Sequence, residues 1–329
     1  MLIHPASIVF TFLLVTSVFI TVSANSWFMA WLGLEINLLA FIPLMINKKN
    51  MYSTESTIKY FLVQAFASVV LISSSSLGLS NLFLLNFLVS VALLLKMAAA
   101  PSHQWMPSLV DGLPWPLLFT LFTVQKMNPL MLFFFLSKNN DIYYILITYA
   151  TFSALAGAVG GLAQTSLRKI MAYSSIAHMS WVLSAMSLGS WTWLLYFSLY
   201  AAVLAPLTYL FWRAQMTTLA RLMAGGKNYL SMLTAISLAS LAGLPPFTGF
   251  LPKFLVTQEL SGSPLALLLF PLLSGTLISL FFYTRVALTT LVLSNSSLSW
   301  APSKLKISSS LLAVHLLGLL APAGGLLWV

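Results

Sequence analysis

The chain contains no cysteine, and among its 329 residues only five are acidic. The missing cysteines exclude disulfides, iron–sulfur clusters and thiolate metal sites. Four histidines, scattered from His4 to His315, do not make a metal cluster either. Charged residues are 6% of the chain, where a water-soluble domain carries about a quarter. That excludes a soluble fold of this size. Long polar segments are also missing, so no extramembrane domain is expected to hold a nucleotide or a redox centre.

What is present is apolar: 60% of the residues are hydrophobic. Runs of about 20 such residues recur from end to end, the length of a helix that crosses a hydrocarbon layer roughly 30 Å thick. The runs are continuous and do not alternate, which disfavours a membrane β-barrel. The first run lacks a basic leader and a small-residue cleavage site, so it reads as a span and not as a cleaved signal. The sequence therefore predicts an all-α polytopic membrane protein. Eleven spans are expected, near 3–22, 25–46, 57–78, 80–99, 113–136, 141–161, 169–188, 192–216, 229–260, 263–293 and 307–328.

The +10 net charge is read through the membrane and not as a nucleic-acid signal. Loops after even-numbered spans hold Lys48, Lys49, Lys59, Arg168, Lys169, Arg213, Arg221, Lys227, Lys304 and Lys306; loops after odd-numbered spans hold Lys138 alone. Positive loops stay on the matrix or cytoplasmic side. The N-terminus is therefore expected there, and the C-terminus on the opposite side. Basic loops also suit anionic lipid such as cardiolipin. Trp27, Trp105, Trp115, Trp191, Trp193 and Trp300 fall near span ends, where an aromatic belt is expected.

Lys96, Lys126, Lys253 and Glu35 lie inside spans. Each charge at mid-membrane costs about 2.5–3.5 kcal/mol, so pairing or water-filled cavities must offset them. Pro101 follows Lys96, and Pro245-Pro246 precedes Lys253. Proline removes a donor and crowds the preceding turn, so the fourth and ninth spans should be broken. These two spans are five apart. Two five-helix repeats follow, residues 1–138 and 139–293, each with its broken helix in fourth place. An odd number of spans per repeat inverts the second relative to the first, as in many transporters. Residues 294–329 add a loop and a final helix. A lysine in a partly dry cavity exchanges its proton more readily than one in water, so a file of such groups reads as a proton path.

The stretches WLGLEINLLAFIPL (31–44), KMAAAPSHQWMPSLVDGL (96–113), VQKMNPL (124–130), SLRKIMAYSSIAHMSW (166–181) and GLPPFTGFLPKF (243–254) closely resemble the subunit 2 family of mitochondrial respiratory complex I (NADH dehydrogenase), in its shortened animal form. The resemblance runs in order across most of the chain. It implies an antiporter-like, proton-translocating subunit of the membrane arm, in the mitochondrial inner membrane. Its partners are other membrane-arm subunits, including neighbouring antiporter-like ones. NADH, FMN, iron–sulfur clusters and ubiquinone belong to those partners, and none to this chain. By motif, Glu35 matches the family's glutamate, and Lys96 the lysine beside the first break. Lys126 matches the central lysine and Lys253 the lysine after the Pro-Pro break. His178 matches a histidine between the central and distal lysines. His103 stands at the histidine of a PFH-type segment, here PSHQW, with serine in place of the aromatic.

Each residue also has a plainer reading. Lys96, Lys126 and Lys253 can snorkel to an interface, Glu35 can pair helices, and His178 can bridge helices by an ordinary hydrogen bond. Arg285, His4 and His315 read as structural or interfacial, and Asp111 as a loop residue. SSSS at 73–76 satisfies helix carbonyls or neighbouring helices, and GAVGG at 157–161 suits close helix packing. Two other functions share these features: a cation/proton antiporter outside complex I, and a membrane scaffold that does not pump.

Overall fold

The computed structural model describes residues 5–46, 50–77, 82–137, 142–218 and 228–294. Among these the chain is helical, apart from one antiparallel bridge between Ser166 and Thr218. Helix is the expected answer for apolar runs in lipid, where every backbone donor and acceptor must be satisfied internally. The helices are α1 (Pro5–Val22), α2 (Trp27–Met45), α3 (Met51–Leu77), α4 (Leu82–Met97), α5 (Trp105–Leu109), α6 (Trp115–Phe122) and α7 (Val124–Leu136). They continue as α8 (Tyr143–Leu162), α9 (Leu167–Ser187), α10 (Thr192–Arg213), α11 (Asn228–Ala242), α12 (Phe250–Ser261) and α13 (Leu269–Ser294). The span expected at 307–328, with Trp300, His4 and His315, lies outside the described residues.

The chain divides into two compact units, Met1–Ser153 and Ala154–Val329, with the division inside α8. The boundary expected between 138 and 139 falls outside the described residues. In the first unit α1, α2, α3, α4 and α7 close a ring, each packed on the next, and α7 also reaches α2. In the second unit α9, α10, α11 and α13 form a ring, and the short α12 touches α9, α10 and α13.

Among the described residues seven segments are long and apolar enough to cross a membrane. The expected fourth and ninth spans are absent from that set because each is broken into short pieces. The seventh, α9, is absent for another reason. It carries Ser174, Ser175, Ser180 and Ser184 along its length, yet nearly every residue from Ile170 to Met186 is buried. A helix wrapped by protein needs no lipid-facing surface. Its serines donate back to carbonyls three residues earlier, as Ser180 Oγ does to Ala177 at 2.6 Å. Ser73 to Ser76 do the same within α3. The GAVGG stretch is close packing: a Cβ on Gly157 would fall 2.5 Å from the Ala177 backbone nitrogen, and one on Gly161 2.7 Å from Phe282.

The tryptophan belt needs correction. Trp105, Trp115 and Trp193 are buried in protein. Trp105 has a backbone task, donating its indole N–H to the Leu95 carbonyl at 3.1 Å. Trp191 is exposed. Arg285 is structural: its guanidinium donates to the Leu162 and Gln164 carbonyls at 2.7 and 3.0 Å, capping the end of α8.

Both expected breaks are present, and they share one local geometry. α4 ends with Ala98 at φ +58; Ala98 N–H donates to Leu95 O, and Ala99 N–H to Leu94 O, each at 3.1 Å. α11 ends with Gly243 at φ +83; Gly243 N–H donates to Ser240 O at 3.0 Å, and Leu244 N–H to Ala239 O at 3.3 Å. Each is a Schellman cap, a left-handed residue closing the last turn with paired bonds. In each, a proline stands three residues beyond the left-handed one, Pro101 and Pro246.

A third break was not expected. The predicted fifth span is interrupted at Thr123 (φ −115°, ψ −79°), which separates α6 from α7. The Thr123 hydroxyl donates to Phe119 O at 2.7 Å, a carbonyl that also accepts the Thr123 N–H at 3.1 Å.

Candidate functional site

The first unit gathers polar groups from five helices. Lys96 ends α4 and is only 6% exposed. It forms a reciprocal pair with Gln64 of α3. The Lys96 ammonium donates to the Gln64 backbone carbonyl at 3.4 Å, and the Gln64 amide donates to the Lys96 carbonyl at 3.3 Å. The second bond occupies a carbonyl in the last turn before the break. The Lys96 side chain is thus enclosed by protein. Glu35 of α2 lies within electrostatic range of Lys96 and of Tyr60. Its Oε2 is buried with no hydrogen-bond partner among the described residues.

Lys126 is 2% exposed, in the first turn of α7 just after the Thr123 break. Its helix is fixed by amides on either side. Tyr60 donates to Gln125 at 2.9 Å, and Gln125 donates to Asn37 at 3.0 Å, joining α3, α7 and α2. Asn128 donates to Ser17 and accepts from Thr21, both at 3.3 Å, joining α7 to α1. An amide cannot pass a proton along as a hydroxyl or water can. These bonds hold the lysine's turn in place.

In the second unit Lys253 stands in the first turn of α12, 8% exposed. Its ammonium donates to the Ala242 carbonyl at 2.7 Å, a group left without a helical partner by the break. The lysine lies over Gly243, where a Cβ would come within 2.8 Å of Nζ. His178 of α9 meets the Tyr196 hydroxyl through Nδ1 at 2.8 Å, and its ring centroid is 4.8 Å from that of Tyr200. His178 and Lys253 line one small cavity with Ser180, Ser279 and Tyr283. A second small cavity is lined by His178, Tyr196, Tyr200 and residues of the α11–α12 break, among them Leu241 and Gly249. The imidazole therefore borders two cavities. Tyr200's hydroxyl is buried with no partner among the described residues.

Helix ends distinguish the three lysines. A helix carries partial positive charge at its N-terminus and partial negative charge at its C-terminus. Lys96 sits in the last turn of α4, where an ammonium is favoured; Lys126 and Lys253 sit in first turns, and the Lys253 ammonium reaches back to the C-terminal carbonyl of α11. His103 stands apart on the loop of the first break, its Nδ1 3.2 Å from the Pro101 carbonyl.

Of the expected residues, Glu35, Lys96 and Lys126 lie in the first unit, where half-buried Glu35 is within electrostatic range of Lys96; His178 and Lys253 lie in the second and line one cavity. Gln64, Tyr60, Gln125, Asn37, Tyr196 and Tyr200 were not anticipated. Gln64, Asn37 and Gln125 did leave a signal, as amides inside apolar runs.

Comparison with known proteins places the chain in a family. The NADH:quinone oxidoreductase/Mrp antiporter transmembrane family matches residues 24–80 and 72–279. NADH-ubiquinone oxidoreductase chain 2 of Anopheles gambiae is 40% identical over 307 residues, covering 89% of this chain and 88% of the relative. The same protein of Myxine glutinosa is 37% identical over 330 residues, covering 94% and 92%. Among solved structures, a chain of respiratory complex I from Thermus thermophilus with bound aureothin aligns with a TM-score of 0.82 at 22% identity, over 98% of this chain and 78% of that one. A chain of the Mrp complex from Dietzia sp. DQ12-45-1b aligns with a TM-score of 0.79 at 14% identity, over 97% and 75%. The structures share the fold and the curated relatives share the sequence; the chain belongs to the NADH-ubiquinone oxidoreductase chain 2 family, within the NADH:quinone oxidoreductase/Mrp antiporter membrane proteins.

Proposed function

We propose that this chain is a proton-translocating, antiporter-like subunit in the membrane arm of respiratory complex I. The observation that carries the proposal is the trio of buried lysines, of which two sit in first turns after a helix break. Electron transfer in partner subunits, which hold the NADH, flavin, iron–sulfur and ubiquinone sites, changes the charge felt by Glu35 and Lys96. Their approach or separation alters the hold of Lys126 on its proton. Lys126 in the first unit, and His178 and Lys253 in the second, act as successive carriers through water. The setting is the mitochondrial inner membrane, with the N-terminus on the matrix side, an orientation that the ten-to-one loop asymmetry of basic residues supports. The shared Schellman cap and proline at the two breaks support two inverted five-helix repeats, with an eleventh, C-terminal span beyond them.

Gly243 offers a focused check on Lys253. Ala98 already occupies the corresponding left-handed place in the first break, so a Gly243→Ala chain should fold and assemble. Its new methyl group takes the space of the Lys253 ammonium. Coupled turnover is expected to fall by about tenfold, the scale of a misplaced reacting group, at unchanged amounts of assembled complex. Wild-type turnover would remove the Ala242–Lys253 contact from the mechanism.

The assignment to complex I is tested by separating mildly solubilised native membranes by size. The chain is detected by mass spectrometry beside an NADH-oxidation stain. Comigration with a very large NADH-oxidising assembly is expected. A small particle that moves protons in vesicles against a sodium gradient, without NADH, would identify a free-standing antiporter instead.

A further inference from the structure

Glu259 is the one acidic residue after Asp141 in the whole sequence. It lies on α12, the half-helix that carries Lys253, at the end away from the break. Among the described residues it makes no ion pair. Its Oε2 instead accepts two hydroxyl hydrogen bonds, from Ser190 and Thr192, both at 2.9 Å. Those hydroxyls are themselves 2.6 Å apart. Ser190 belongs to the turn that follows α9, and Thr192 is the first residue of α10. One carboxylate oxygen therefore ties α12 to the start of α10 and the turn after α9.

The need for such a tie follows from the break. α12 has 12 residues, about 18 Å of helix, and no continuous helix through the Pro-Pro turn to hold its direction. At its first turn it is held by Lys253 on the Ala242 carbonyl. Its other end is held by Glu259. The three elements joined there carry Lys253 on α12, His178 on α9 and Tyr196 on α10. A negative group at the N-terminus of the 22-residue α10 is also the favourable sign for that helix end.

We infer that Glu259 is a positioning residue for proton transfer: its bonds to Ser190 and Thr192 fix α12 against the α9–α10 turn and so keep Lys253 and His178 on one cavity. This rests on the reading of Lys253 as a proton carrier. The role belongs to the hydrogen-bond geometry and not to proton exchange at the carboxylate.

The test uses the assembled complex in sealed membranes, with four variants and a Lys253→Met reference. Glu259→Gln keeps an oxygen that accepts both hydroxyls, and should retain wild-type turnover and pH profile. Glu259→Leu should lower coupled turnover by about tenfold, and the Ser190→Ala/Thr192→Val double variant should match it. Combining all three changes should add nothing further. Backbone hydrogen exchange, read by mass spectrometry, should quicken in α12 and the 188–192 turn of Glu259→Leu, and nowhere else. Unchanged exchange there would overturn the tie itself. Quickened exchange with wild-type turnover would overturn its role in positioning. Failure of Glu259→Gln as severe as that of Glu259→Leu would make the carboxylate a proton carrier and overturn the positioning role. If Lys253→Met alone retained wild-type turnover, the fault would lie with the proton-carrier reading, and the exchange result would still judge the tie.

Discussion

A Gly249→Val chain is expected to leave almost no assembled complex in the membrane. Gly249 stands at the start of α12, and any Cβ there would overlap the carbonyl oxygen of Ser240 in α11. That carbonyl is not free to yield, because it accepts the Gly243 N–H of the Schellman cap at 3.0 Å. The clash is with backbone, so rotating a side chain cannot relieve it. Overpacking of this kind costs about 3 kcal/mol or more, against a total stability of roughly 5–15 kcal/mol for a typical domain. The amount of NADH-oxidising assembly per unit membrane reads the effect. Gly262→Ala, on the other end of α12, is the control. Its added methyl would meet only ordinary contacts at 3.8 Å and beyond, and normal assembly is expected. Normal assembly of Gly249→Val would mean that α11 and α12 do not approach as described.

Lys126→Met should separate stability from activity. Methionine is close to lysine in length and is apolar, and the site is 2% exposed. Removing a buried ammonium spares the cost of a charge in the membrane, so assembly should be unchanged or improved. Coupled NADH turnover should fall by on the order of 10²-fold, the lower end of what a positioned proton-transferring side chain contributes. Opposite signs for the two effects are the mark of a carrier. A scaffold lysine would give unchanged turnover, and a packing lysine would lower assembly and turnover together.

Much of this was legible because a membrane sequence makes exceptions conspicuous. Lys96, Lys126, Lys253 and Glu35 stand out in apolar runs, and Pro101 and Pro245-Pro246 announce the breaks beside two of them. The Thr123 interruption was not legible, since neither proline nor glycine stands at it. Its consequence, Lys126 in a first turn, became visible only with the fold. α9 falls on one of the expected spans, although its many serines make it too polar to qualify by composition; burial on nearly all sides explains it. The partners of the charged groups depend on tertiary packing. Nothing local joins Gln64 to Lys96, Tyr60 to Gln125, or Glu259 to Ser190. The tryptophans misled because the end of a span can be buried in protein as readily as it can face lipid, as Trp105 and Trp193 are.

The most direct test of the account is the number of protons moved per NADH oxidised in sealed vesicles, for wild type and Lys253→Met at equal amounts of assembled complex. The account predicts that whatever turnover remains in the variant moves fewer protons per NADH, or that turnover stops with pumping because the two are locked together. Wild-type turnover with a wild-type proton ratio would contradict it, and would leave the buried lysines with a structural role.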